Sequence, residues 1–512
     1  MRSEARRQRS AGAGVALDSA GKRTIIMGAG PAGLTAAYEL MRYGVPSVTL
    51  EKDARYVGGI SRTEERDGYR FDIGGHRFFS KNREVEDFWT EILGDEMLTR
   101  RRLSRIFYKG RYFDYPLKAG NALRNLGTVE TARCVASYAW ARLFPTRDPR
   151  TFEEWVTNHF GHRLFSIFFK TYTEKVWGIS TKELSADWAA QRIKGLDLTT
   201  AIKNALSPWK KSGGDHGAAV RTLVDEFRYP RRGPGEMWER VAEKLRAGGN
   251  IVALGQEVVS VRHDGSRVTS VIARDAASGQ TRDVTGAQFI STLPIRELAH
   301  KLEPAMPPWV VAAADDLKYR DFLTVALVVN KREVFPDNWI YIHDPSVRVG
   351  RMQNFKAWSP SMTPNQDTTC IGLEYFCFEG DGLWTASDDH LVALATREMV
   401  KLGMCKPEDV MWGVVVRQPK AYPVYDGAYR RDLAVIRDHL AAALPNLHLV
   451  GRNGMHHYNN QDHSMMTAML TARNIATGAT YDPWKVNTDA EYHEEARLED
   501  EDISGRLVPS RA

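Results

Sequence analysis

Gly28-Ala-Gly30-Pro-Ala-Gly33 stands between an apolar run at residues 23–27 and a helical stretch closed by Gly44. No other feature of the chain restricts its fold as much. The first glycine allows a tight turn, the second lets backbone approach a pyrophosphate, and the third lets a helix pack closely on a strand, with its N-terminus facing the phosphates. Residues 23–27 (RTIIM) are β-branched and almost continuously apolar, the pattern of a strand buried on both faces of a parallel sheet. Residues 46–50 form a second strand ending at Glu51, 23 residues after Gly28. Together these make one βαβ unit. A carboxylate at Glu51 can take ribose hydroxyls and disfavours a 2′-phosphate, which argues against NADP in this pocket.

The continuation separates FAD from NAD. Gly58-Gly59-Ile60-Ser61 follows the acidic strand closely, as in flavoproteins that place a second diphosphate-touching turn there, and Gly451-Arg452 after a strand at 447–450 resembles their last flavin turn. The expected class is therefore α/β: a Rossmann-like FAD-binding domain, discontinuous in sequence, with an inserted helical domain and a mixed or antiparallel β-sheet substrate domain. The boundaries expected are 22–65, 216–295 and 440–481 for the flavin domain, 66–116 and 296–439 for the sheet domain, and 117–215 for the helical insert. Turns dominate residues 52–116, punctuating short strands. Asp264-Gly265 marks a hairpin between segments at 257–261 and 268–273. Residues 320–380 alternate like strands, a short strand at 447–450 precedes a helix expected from Ser464, and residues 210–217, with Gly213 to Gly217 at their end, read as a mobile loop.

Composition restricts the partners. With 70 Lys+Arg against 64 Asp+Glu the net charge is +6 over 512 residues, too small and evenly mixed to argue for nucleic acid. The 43% hydrophobic content excludes wholesale disorder. No apolar run approaches the ~20 residues that span a bilayer, so no integral membrane segment is expected. Cys134, Cys370, Cys377 and Cys405 lack zinc-ligand spacing; no metal is expected, and buried thiols suit a reducing, cytoplasmic location. Residues 1–21 read as a disordered leader. Residues 482–512 read as an acidic tail, solvated as helix or disorder, with eight acids among positions 489–502.

A further set of strings is more specific. Phe71-Asp-Ile-Gly74-Gly75-His76-Arg-Phe-Phe-Ser80, Phe152-Glu-Glu-Trp155, Lys175-Val-Trp177, Phe227-Arg-Tyr-Pro-Arg-Arg-Gly233 and Asn460-Gln461-Asp462-His463-Ser464 occur in the order seen in the UDP-galactopyranose mutases. From about residue 24 to 480 the chain resembles that family, its longer eukaryotic-type members above all, within the wider amine-oxidase-like flavoproteins. The resemblance implies a redox-neutral ring contraction in which N5 of reduced FAD attacks the anomeric carbon of a nucleotide-linked sugar, interconverting pyranose and furanose, with NAD(P)H as reductant. The cofactor contacts implied are Gly28, Gly30, Pro31, Ala32, Gly33, Glu51, Lys52, Gly59, Ser61, Gly75, His76, Val258, Gly451, Arg452, Asn460 and Gln461.

On the substrate side the resemblance implies two arginines on the diphosphate, Arg192, fifteen residues after Trp177, and Arg351, ten after Tyr341. It implies neutral donors at Tyr115, Tyr341, Tyr422 and Tyr458, packing by Trp177, and a His76 backbone carbonyl beside the flavin. Arg192, Arg351 and His76 are the candidate catalytic residues. Thr173 and Lys118 stand where the family's uracil contacts are Asn and Gln, which leaves the base and the sugar open. A homo-oligomer is also left open. The alternative reading is a net oxidoreductase of the amine oxidase, protoporphyrinogen oxidase or desaturase type, which would have no use for two cations facing the flavin.

Overall fold

The computed structural model describes residues 23–115, 117, 119–186, 222–223, 226–487 and 495–496. Five strands form a wholly parallel sheet in the order Ile251–Ala253, Ser47–Leu50, Thr24–Met27, Gln288–Ser291, Leu447–Leu449. Alternation along the first strand explains its unbroken apolar sequence. Ile26 joins a core with helices Pro31–Arg42, Gly235–Ala247 and Gln461–Thr477, whereas Ile25 and Met27 enter a second core on the other face. Three stretches far apart in sequence thus build one nucleotide-binding sheet. Beside it the hairpin forms as expected: Gln256–His263 pairs antiparallel with Val268–Asp275, and Asp264 Oδ1 accepts from the Ser266 and Arg267 amides at 2.9 Å.

The second large sheet has seven strands, Val410–Pro423, Tyr319–Val329, Thr369–Cys377, Arg351–Asn354, Trp339–Ile342, Ser104–Tyr108 and Arg111–Asp114. It is mixed: Trp339–Ile342 and Ser104–Tyr108 run parallel, and the other pairs are antiparallel. Tyr319–Val329 and Thr369–Cys377 are buried along their whole length, so the central strands are covered on both faces and do not show one solvated face. The helical insert starts with Ala119–Leu126 and Thr128–Leu143. Phe152–Phe160 follows, opened by a reciprocal cap in which Thr151 Oγ1 accepts from the Glu154 amide at 3.2 Å and Glu154 accepts from the Thr151 amide at 3.1 Å.

Three local features differ from expectation. Within 52–116, Arg83–Leu93 is a helix, not a strand and turn. Asn82 Oδ1 caps it at the Val85 amide (3.3 Å), and Val85, Phe88, Trp89, Ile92 and Leu93 bury one face in the nucleotide-binding core. The helix expected from Ser464 begins three residues earlier, at Gln461. In the acidic tail, 495–496 pair antiparallel with 222–223 as a short strand. The four cysteines are buried and unpaired.

Candidate active site

The glycines of the first turn divide by cause. A Cβ on Gly33 would meet Gly28 O at 1.9 Å, and one on Gly28, where φ is +103°, would meet Thr292 Oγ1 at 2.2 Å. Packing within the protein therefore requires both. Gly30 is different: its backbone is extended and a Cβ there would come no nearer than 3.9 Å to anything, that atom being Gly59 Cα. The protein itself gives no reason for glycine at this point, whereas a pyrophosphate laid against the backbone does. The helix that follows has Pro31 at its first position and no side-chain cap, and Ala32 and Gly33 are buried in its first turn. Its leading amides and positive dipole end suit an anion.

The second glycine turn is tied to the first by the Gly58 amide donating to Ala29 O at 2.8 Å, and Gly59–Ser61 forms a single 3₁₀ turn. Glu51 takes the Ala29 amide at 2.7 Å and the Asp53 amide at 3.0 Å. It is buried, and desolvation pushes its carboxyl up while those two amides pull it down. Lys52 beside it is exposed. Val258 is buried on the strand whose first amide, that of Gln256, donates to Glu51 O at 2.8 Å. The C-terminal turn closes on the same helix: a Cβ on Gly451 would strike Ala32 Cβ at 2.9 Å. Arg452 donates to Asn459 O at 2.8 Å and Ala421 O at 3.0 Å, Asn460 caps the last long helix, and Gln461 accepts from Trp238 Nε1 at 3.2 Å. All sixteen residues expected at the cofactor are among those described, and most lie on these three linked turns.

Asp72 anchors the Gly74-Gly75-His76 turn. Fully buried, it accepts from Thr63 Oγ1 at 3.0 Å and from the Tyr229 hydroxyl, so the FDIGGH string is held by the tyrosine of FRYP. Burial pushes its carboxyl up to about 7 against those two hydrogen bonds. Gly75 is exposed within this otherwise covered motif. His76 Nε2 donates to Ile73 O at 2.9 Å, and desolvation pulls its imidazole down to about 4, so the ring is neutral at neutral pH and braces the turn.

Arg351 lies beside this turn, its Nη2 3.9 Å from where a Gly74 Cβ would sit. It is not a lone cation. Nε and Nη2 contact Glu374 Oε2 at 2.8 and 2.6 Å, Glu374 is completely buried, and Gln353 Nε2 donates to its other oxygen at 2.9 Å. Gln353 Oε1, buried against the Gly75 position, has no partner among the described residues.

Aromatic rings close the site from two sides. Tyr115 and Tyr341 lie 5.0 Å apart, and Tyr172 contacts Tyr341 at 5.4 Å while stacking on His343 at 5.0 Å. On the other side Tyr422 and Tyr458 stack at 5.5 Å, each 6.5 Å from Trp177, with Arg452 over both rings. Ile73, Phe322, Phe376 and Ala421 make one cluster against which Ile60, Val176 and Tyr422 pack. Burial, then Tyr458, pushes the Tyr422 hydroxyl up to about 12, which keeps it a neutral donor.

Several residues that hold the site were not singled out from sequence. Glu374 and Gln353 alternate with ordinary strand residues, and only their polarity within buried runs distinguishes them. Arg320, also buried, donates to the Val176 and Phe376 carbonyls at 3.0 Å and so receives the end of helix Thr171–Trp177. Lys175 proves structural: its ammonium donates to the carbonyls of Ile342, Asp344 and Val349 at 2.7 to 3.1 Å, and burial pulls it down to about 8. Thr173 is buried on the same helix. Arg192, Lys118 and the loop from Gly213 to Gly217 lie outside the described residues.

Gly30, the uncapped helix start, the exposed Gly75 and the unpartnered Gln353 oxygen fit a flavin dinucleotide laid from the first turn to the GGH turn. Fold and site define an α/β flavoprotein of the dinucleotide-binding class. The chain belongs to the flavin-containing amine oxidoreductase family, whose model matches residues 31–477. It is similar to the probable UDP-galactopyranose mutase of Klebsiella pneumoniae, at 27% identity over 173 residues, 32% of this chain and 43% of the relative, so less than half of that relative's length is spanned. It is also similar to the coproporphyrinogen III oxidase of Mycobacterium tuberculosis, 24% identical over 449 residues, 82% of this chain and 90% of the relative. In fold it matches a crystal structure of reduced UDP-galactopyranose mutase with a TM-score of 0.76, at 22% identity, over 90% of this chain and 95% of that one.

Proposed function

We propose that the protein is a FAD-dependent, UDP-galactopyranose mutase-like enzyme that interconverts pyranose and furanose forms of a nucleotide-linked sugar, with NAD(P)H supplying the reduced state. The observation that carries this reading is the position of Arg351 beside the Gly74-Gly75 turn and directly across the strand pair from Tyr341, whose ring Tyr172 contacts. Reduced FAD, when bound, supplies the nucleophile toward an anomeric carbon. The remaining task is to hold a diphosphate leaving group apart from the sugar. Arg351, oriented by Glu374, offers the charge, and Tyr341, Tyr422 and Tyr458 offer neutral hydroxyl donors, with Tyr115 behind Tyr341. Trp177 backs the stacked pair and excludes water. Arg192 completes the cation pair in this reading. His76 contributes through its turn, its ring being occupied with Ile73 O.

The test is to incubate the reduced protein with UDP-galactopyranose and UDP-galactofuranose and follow interconversion against reductant. Conversion without net loss of reductant is expected, and Arg351→Ala should slow it several hundred-fold, about 3 to 4 kcal/mol of lost charge stabilisation. Oxygen-dependent product formation instead would favour a net oxidoreductase of the amine oxidase, protoporphyrinogen oxidase or desaturase type. One observation supports that second reading: Glu374 offsets the charge of Arg351, leaving the pair formally neutral.

A further inference from the structure

Helix Thr128–Leu143 turns Cys134 and Ala141 toward the helical insert, and Glu130 on the same side is bound by Arg163. Its outer side breaks the usual rule that a solvent-facing helix surface is polar. Val129, Ala132, Ala136, Trp140 and Leu143 recur there at helical spacing, all exposed. Val129 is 67% accessible, Trp140 66%, Leu143 73% and the following Phe144 62%, and the Trp140 and Phe144 rings touch at 4.5 Å. Singly exposed apolar residues need no explanation, but a ridge running the length of a helix about 24 Å long does.

The surrounding charge is predominantly basic. Residues 119–150 contain Arg124, Arg133, Arg142, Arg147 and Arg150 against Glu130 and Asp148; Glu130 is engaged by Arg163 and, at 3.7 Å, by Arg133, and Asp148 by Arg150 at 3.7 Å. Arg133 and Arg142 are exposed on the two flanks of the ridge. We propose that this face docks on an anionic lipid bilayer, with Trp140, Leu143 and Phe144 at the headgroup–acyl boundary and the arginines on lipid phosphates. A second copy of the chain fits the surface less well, because a two-fold contact would bring the same arginines face to face. The helix lies on the bilayer: it has 16 residues, and among the described residues no helix is long and apolar enough to cross a membrane.

Flotation of the flavin-loaded full chain with vesicles of phosphatidylcholine, alone or mixed equally with phosphatidylglycerol, tests this. At least tenfold more protein should float with the mixed vesicles, and salt should weaken the binding. Trp140→Ser/Phe144→Ser and, separately, Arg133→Glu/Arg142→Glu should each lower binding about tenfold, as expected for loss of apolar area or of charge. Flavin content and urea midpoint, unchanged in both variants, show that the fold is intact. Absence of vesicle binding, equal binding by the variants, or a wild-type dimer that Trp140→Ser/Phe144→Ser dissociates without any vesicle binding would overturn the proposal.

Discussion

Removing the Glu374 carboxylate puts the largest load on the candidate site. Glu374 is completely buried, and its two oxygens hold Arg351 at 2.6 and 2.8 Å and Gln353 at 2.9 Å. Breaking a buried ion pair by deleting one partner costs roughly 3 to 5 kcal/mol, because the other charge stays desolvated and unpaired. Glu374→Leu should therefore lower stability by about 4 kcal/mol. Glu374→Gln should cost about 2 kcal/mol, since one amide oxygen still accepts from Arg351 while the Gln353 amide can turn to meet the new donor. Arg351→Met/Glu374→Leu, which removes both charges, should cost less than Glu374→Leu alone, giving a coupling energy of a few kcal/mol in the double-mutant cycle. Urea unfolding followed by tryptophan fluorescence, at fixed flavin concentration, measures all of these. Single variants within about 0.5 kcal/mol of wild type, or a double variant as costly as the sum of the singles, would refute the reasoning, since that range is ordinary for surface substitutions.

Other substitutions separate cofactor contacts from braces. Gly30→Ala should fold but bind flavin poorly, whereas Gly33→Ala should be destabilised by several kcal/mol through its 1.9 Å overlap with Gly28 O; flavin-to-protein absorbance and the urea midpoint distinguish the two. Asp72, pushed up to about 7 in the fold from about 3.9 when unfolded, favours the folded state fully only below its unfolded value, and that contribution is lost as pH rises through 7. Asp72→Asn should therefore gain on wild type between pH 5 and 8, by up to about 4 kcal/mol, and parallel pH–stability curves would refute this. Lys175→Met should cost about 2 to 3 kcal/mol as three carbonyls lose a charged donor, with the flavin spectrum unchanged.

The nucleotide-binding half was legible because its signals are local. A buried parallel strand must be apolar throughout, and Gly28 and Gly33 are dictated by contacts within a few residues or with the adjoining strand end. Helix Arg83–Leu93 was legible in principle from its Asn82 cap and its apolar spacing, but the glycine-rich text around it reads as turns. Glu374 and Arg320 were not legible. Each is a charge inside a strand buried along its whole length, and its partner arrives from another strand or from a helix far away in sequence. Strand patterning alone would have assigned both residues to solvent.

Parts of the motifs that carried the family resemblance bond to one another: Asp72 with Tyr229, Ser80 with Asp462, and the Phe78 backbone with that of Arg228. They therefore report a shared scaffold more than a shared substrate. Discrimination between sugar transfer and net oxidation lies with the charge beside the Gly74-Gly75 turn, where Arg351 and Glu374 formally cancel. A diphosphate held by Arg351 would also feel repulsion from the Glu374 carboxylate behind it. Glu374→Gln relieves that repulsion while keeping the shape. A nucleoside diphosphate should thus stabilise the variant more than it stabilises wild type, seen as a larger ligand-induced rise in the urea midpoint. An equal or smaller rise would mean that Arg351 serves the sheet and not the anion, and the oxidoreductase reading would then be the stronger one.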